Sequence, residues 1–127
     1  MYGFSRKVDL GFDETLGRVR DALQKQGFGV LTEIDVKATL KKKLDVDFRK
    51  YVILGACNPP FAYKALAAEL EIGLLMPCNV IVYENDAPGT TVAVVDASMM
   101  ATATGNRALE EVSAAVNDKL KRVIDTL

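Results

Sequence analysis

Polar and apolar positions divide this chain into alternating strands and helices. Tyr2, Phe4, Arg6, Val8 and Leu10 alternate loosely with Gly3, Ser5, Lys7 and Asp9, the period of a half-buried strand over 2–10. Leu16, Val19, Ala22 and Leu23 then recur at helical spacing behind Asp13, which is placed to cap them. Gly27 ends that helix, with Phe28 set to fold back on Leu23, while Gly17 within it is the kind of residue that marks close packing. Over 29–36 the pattern predicts a second strand, with Val30, Thr32, Ile34 and Val36 on one face and Leu31, Glu33 and Asp35 on the other. Val36, Leu40 and Leu44 are spaced for a short amphipathic helix carrying Lys41, Lys42 and Lys43.

From Tyr51 to Ala56 every side chain is apolar, the pattern of a central strand covered on both faces. Asn58 followed by Pro59 is a helix start: the side-chain oxygen of Asn58 can accept a free N–H of the first turn, and Pro59 lacks only an N–H that the helix would not use. The helix is expected to run to about Glu71, with Gly73 as a left-handed stop. Residues 78–83 read as a strand, 85–89 (Asn-Asp-Ala-Pro-Gly) as a turn and 90–95 as the hairpin partner. A run of small and sulfur-bearing residues over 96–104 leads to a last helix capped by Asn106, its apolar stripe formed by Leu109, Val112, Val116, Leu120, Val123 and Leu127. Hairpin-compatible strands with separated helices predict one α+β domain over 1–127, a mainly antiparallel sheet with helices packed on it.

Composition narrows the functions. Half of the 127 residues are hydrophobic and 26% are charged, as in an ordered domain. The net charge is -1 with scattered basic residues, which disfavours nucleic-acid binding; Lys41–Lys43 point in different directions on a helix and read as a solvated surface. No apolar segment approaches the ~20 residues of a membrane span, and the first residues carry no apolar signal core. The expected location is cytoplasmic, where the two cysteines are reduced by default. There is no histidine, which excludes Ser-His-Asp and Cys-His catalysis within one chain and every zinc site that needs imidazole. No Gly-rich phosphate loop is present.

The candidate chemistry lies in two near-mirrored tripeptides, Cys57-Asn58-Pro59 and Pro77-Cys78-Asn79. If the strands ending at Cys57 and beginning at Cys78 run antiparallel in one sheet, both cysteines reach the same rim. Cys57, Asn58, Cys78 and Asn79 are therefore the candidate ligand-binding residues. Three readings follow: a module binding a small ligand or a soft metal there, since thiolates suit Cu(I); a thiol redox enzyme using Cys57 and Cys78 as attacking and resolving partners; or a structural or partner-binding homo-oligomer with two ordinary buried thiols. A homodimer is expected if part of the apolar surface stays uncovered. Glu33 and Asp35, two residues apart on one strand face, form a further carboxylate pair that reads first as solvent-facing surface. Met99 and Met100 read as core filler, with a pocket lining as the alternative.

Four stretches, Glu33-Ile-Asp-Val36, Thr39-Leu-Lys-Lys-Lys43, Tyr51-Val-Ile-Leu-Gly-Ala-Cys-Asn-Pro59 and Gly73-Leu-Leu-Met-Pro-Cys-Asn-Val80, together resemble the prokaryotic domain of unknown function 302 family. The resemblance covers essentially the whole chain. It implies an antiparallel sheet with helices packed on it, in the TATA-binding-protein-like class of α+β folds. It implies no activity and no catalytic residues, and the DNA-binding role of the fold's namesake does not transfer with the fold.

Overall fold

In the computed structural model, which describes residues 2–127, five strands are laid down in chain order. They are β1 (Gly3–Val8), β2 (Gly29–Asp35), β3 (Tyr51–Cys57), β4 (Cys78–Glu84) and β5 (Thr90–Val95). All neighbours are antiparallel, in the spatial order β1-β5-β4-β3-β2. The helices are α1 (Phe12–Lys25), α2 (Val36–Leu44), α3 (Pro59–Ala68), α4 (Met99–Thr104) and α5 (Ala108–Asp125), with a 3-10 segment at Leu70–Leu75. The fold is α+β, as the element order predicts.

The two long helices, α1 and α5, pack on one face of the sheet. Val52, Leu54 and Ala56 of β3, Val80 and Val82 of β4, and Val92 and Val94 of β5 meet Val19 and Leu23 of α1 and Leu109, Val116, Leu120 and Val123 of α5. Each such buried aliphatic side chain contributes about 1.5–3 kcal/mol, so this face holds the fold together. The expectation that β3 is covered on both faces is corrected. Its other face, with Tyr51 and Ile53, is only half-buried, because both long helices chose the same side.

Local chemistry explains the helix ends. At the end of α1, Gly27 (φ 83°) donates its N–H to the Gln24 carbonyl and Phe28 donates to the Leu23 carbonyl at 2.9 Å. Leu23 and Phe28 are both buried, which completes a Schellman stop. The start of α1 differs from expectation. Gly11 holds the cap position and Asp13 lies inside the first turn, where its charge still favours the helix dipole. Gly17 has open space where a Cβ would be, so it marks no close packing.

α3 also ends earlier than its apolar stripe suggests. Glu69 turns extended (φ −150°), the chain tightens into the 3-10 segment, and Gly73 lies within that segment rather than acting as a left-handed stop. Asn106 does serve the start of α5: its Oδ1 accepts the Ala108 N–H at 2.9 Å, and its Nδ2 donates to the Ala68 carbonyl.

β2 carries a bulge between Val30 and Thr32 that leaves Leu31 out of the ladder. Beyond it the alternation is reversed. Val30, Glu33 and Asp35 stand opposite Ala56, Leu54 and Val52, while Thr32 and Ile34 stand opposite Gly55 and Ile53 on the open face. The face assignment made from strict alternation is therefore wrong past Val30, because one extra residue flips every later side chain.

Between β5 and α5 the chain forms α4, anchored by a polar knot. The Asp96 carboxylate accepts hydrogen bonds from the Ser98 N–H, the Ser98 hydroxyl and the Asn117 amide, and Asn117 accepts the Ala97 N–H at 2.7 Å. These bonds to the charged form, from Ser98 first and Asn117 next, hold the Asp96 carboxyl below its ordinary range. They fix α4 so that Met100 turns into the core while Met99 stays exposed.

Candidate functional site

The ladder between β3 and β4 pairs Ala56 with Cys78, and Cys57 is the next residue along β3. The two cysteines are thus diagonal neighbours at one rim of the sheet, where antiparallel pairing predicts them. Ala56 is fully buried on the helix-covered face, and Cys78 shares that register position. Both thiols are free and half-buried.

Burial is the main force on Cys78. Removal from water penalises its thiolate, and the nearby Cys57 adds to the effect, so its pKa rises from 9.0 to about 11. A thiol held protonated at neutral pH is a poor nucleophile, which argues against Cys78 as a fast attacking or resolving group.

Asn58 occupies the cap position of α3, and its carbonyl accepts the Ala62 N–H at 2.9 Å. Its side chain does not cap. Instead the buried amide Nδ2 donates to the Gln26 carbonyl at 3.2 Å, at the C-terminus of α1. The expected capping bond gives way to a long-range one because the terminal carbonyls of α1 lie within reach and need a donor. Asn79 is exposed and stands opposite Gly55 on the open face. The four candidate residues therefore separate: Asn58 and Cys78 border one cavity, Cys57 meets its edge from the next position of β3, which alternates toward the open face, and Asn79 lies on the other side of the sheet.

That cavity lies under α3, where Phe28, Phe61, Ala65, Met76 and Met100 complete its apolar wall. Its volume is about 30 Å³, room for a water or a single ion and far below the roughly 300–1,000 Å³ of sites for organic ligands. No Asp, Glu, Lys or Arg borders it. Met76 is not singled out by the sequence, and Met100 takes the pocket-lining alternative offered for it. The sulfur of Met76, two residues before Cys78, is the signal that would find it.

The carboxylate pair Glu33 and Asp35 is not a joint site. Glu33 forms an ion pair with Arg20 of α1, and Asp35 caps α2 by accepting the Ala38 N–H at 2.9 Å. Among the described residues no three His, Cys, Asp or Glu side chains gather around a common point, and no helix is long and apolar enough to cross a membrane.

A single antiparallel sheet with its long helices on one face and a thiol-bearing rim defines the class of this protein: a two-layer α+β domain. Comparison with known proteins takes the assignment further. The model of the family described as domain of unknown function DUF302 matches residues 4–127, and the chain belongs to that family. A crystal structure of an uncharacterized conserved DUF302 protein from Bacillus stearothermophilus is similar at 31% sequence identity and a TM-score of 0.90, covering 98% of this chain and 97% of that one. No curated protein matches.

Proposed function

We propose that the rim cavity binds a soft monovalent metal ion, Cu(I), with Cys78 as the principal ligand. The observation that carries this reading is the concentration of sulfur-bearing residues, Met76, Cys78 and Met100, around a single cavity of about 30 Å³, with Cys57 at its edge. Thiolate and thioether sulfurs select Cu(I) over the harder divalent ions, which prefer carboxylate and imidazole. The cavity borders none of the former, and the chain has no histidine.

The volume favours an ion over an organic ligand. The raised pKa of Cys78 argues against thiol exchange, in which the attacking thiol must lose its proton first; a metal that binds there has to displace the same proton. In the binding step the Cys78 S–H bond breaks, a sulfur–copper bond forms and the proton leaves to solvent; no electron is transferred. Asn58 is a positioning residue in this reading: by tying the start of α3 to the end of α1 it holds the wall of the cavity in place.

The test is a titration of the reduced protein with Cu(I) against a coloured competing chelator. Retention of about one Cu(I) per chain, lost in Cys78→Ser and weakened in Cys57→Ser, Met76→Leu and Met100→Leu, supports the reading. Failure of the protein to take Cu(I) from the chelator, or equal binding by Cys78→Ser, overturns it.

A further inference from the structure

We infer that the open face of the sheet is the interface of a homodimer, built by packing the sheets of two copies face to face. The face carries an apolar surface that neither long helix covers: only Thr32 and Pro77 close over Gly55, and Phe48 packs beside Tyr51 at one end. Ile53 stands opposite Ile81, Ile81 opposite Ala93 and Ile53 opposite Ile34, all on the side away from α1 and α5. Tyr51 and Tyr83 close one end with rings stacked at 5.4 Å and 9° between planes. At the other end a groove of about 240 Å³ opens between Tyr2, Asn79, Ile81, Ala93 and Val95. Ile34 is 47% exposed and Tyr2, at the lip of the groove, 78% exposed. A contiguous apolar surface of this kind marks an interaction site.

Charge selects the occupant. By the strand registers, Lys7 is the only charged residue of the five strands on this face, and it stands at a corner, on edge strand β1. A nucleic acid or an anionic surface needs several clustered cations, and a charged protein partner would bury its own charges unpaired. A second copy meets neither obstacle. Two such faces related by a twofold axis appose apolar centre to apolar centre and leave both Lys7 side chains at the rim.

Size agrees. Five strands about 4.8 Å apart and about 20 Å long present roughly 450 Å² in plan. With side-chain relief, two copies bury about 1,000 Å² or more, which reaches the lower bound of specific interfaces. The packed sheets would lie about 10 Å apart, as in a sandwich. An interface of this size and composition predicts a reversible dimer rather than an obligate one.

Sedimentation velocity of the full chain over roughly 1–100 µM tests the inference. The wild type is expected to shift from monomer to dimer in that range. Ile81→Glu places a carboxylate at the centre of the interface and is expected to weaken association by at least about tenfold. Because Ile81 is half-buried, Ile34→Glu is the second variant: its position is already exposed in the monomer, so the fold tolerates it, and circular dichroism confirms native structure for both. Association lost in the folded variants supports the inference. A wild type that stays monomeric throughout, or a dimer unchanged in both variants, overturns it, the latter assigning association to another surface such as a sheet edge.

Discussion

The Asn58 amide donates to the Gln26 carbonyl across 32 residues of sequence, and through this bond the first turn of α3 is fastened to the last turn of α1. The bond is partly buried, and it sits against the one tight approach at Gly27, where a Cβ would come within 3.2 Å of the same Nδ2. Asn58 therefore acts as a donor, and that fixes how its variants behave.

Asn58→Ala removes the donor, leaves the Gln26 carbonyl with one partner fewer and is expected to cost about 1–3 kcal/mol. Asn58→Asp separates this role from helix capping. At an N-cap whose side chain accepts from the first turn, aspartate is as good as asparagine. Here it would bury a carboxylate facing a carbonyl oxygen, so it is expected to destabilise at least as much as alanine. Urea denaturation of the two variants decides: a neutral Asn58→Asp would restore the capping role.

What was legible in the chain, and what was not, follows from the range of each interaction. β4, the Asn85–Gly89 turn and β5 were readable because a hairpin is specified by neighbours: apolar alternation on both sides and turn residues between. The Schellman stop at Gly27 and Phe28 was readable for the same reason. The bulge at Leu31 was not, because a bulged leucine and a paired one have the same composition around them. α4 was hidden in Met-Met-Ala-Thr-Ala-Thr, whose small residues carry no period; the Asp96–Asn117 bond that anchors it spans 21 residues. The rim position of the cysteines followed from antiparallel pairing alone. The separation of Asn79 from Cys78 follows equally from alternation, since neighbours on a strand face opposite ways, yet grouping residues by motif obscured it.

Gly55 keeps the open face closed over a tight crossing. A Cβ there would fall on Thr32 Oγ1 and within 2.8 Å of Pro77 Cγ. Gly55→Ala is expected to destabilise by about 1–3 kcal/mol through overpacking, and adding Thr32→Ala should recover part of the loss while the Pro77 contact keeps the rest. Thermal melts of the single and double variants check this; an unperturbed Gly55→Ala would mean that β2 shifts freely at its bulge.

Burial of Cys78 also makes stability depend on pH in one direction. Its pKa is about 11 in the folded chain against 9.0 for the free group, so between those values the folded state binds more protons than the unfolded one. Stability is therefore fully present below pH 9 and falls as pH rises toward 11. The loss approaches about 2–3 kcal/mol. Cys78→Ala should lower stability at neutral pH yet flatten this alkaline limb. Denaturant midpoints measured along a pH series for both proteins give the comparison, and parallel curves would refute the assignment to Cys78.

The same protonation governs metal binding. If Cys78 is the principal ligand, each Cu(I) bound at neutral pH displaces its proton, so the apparent affinity should rise about tenfold per pH unit until the thiol ionises by itself. With that ionisation raised to about 11, the rise should continue through the whole range in which an ordinary exposed thiol, ionising near 9.0, would already have levelled off. The slope gives the number of protons released, which distinguishes one thiolate with thioether support from two thiolates sharing the ion. Competition titrations at several pH values read it directly. A slope near one that vanishes in Cys78→Ser assigns the proton to that residue. A slope near two implicates Cys57 as a full partner, and the Cys57→Ser variant should then return it to one. An affinity independent of pH would mean that no thiol proton is displaced, and the metal reading would fail with it.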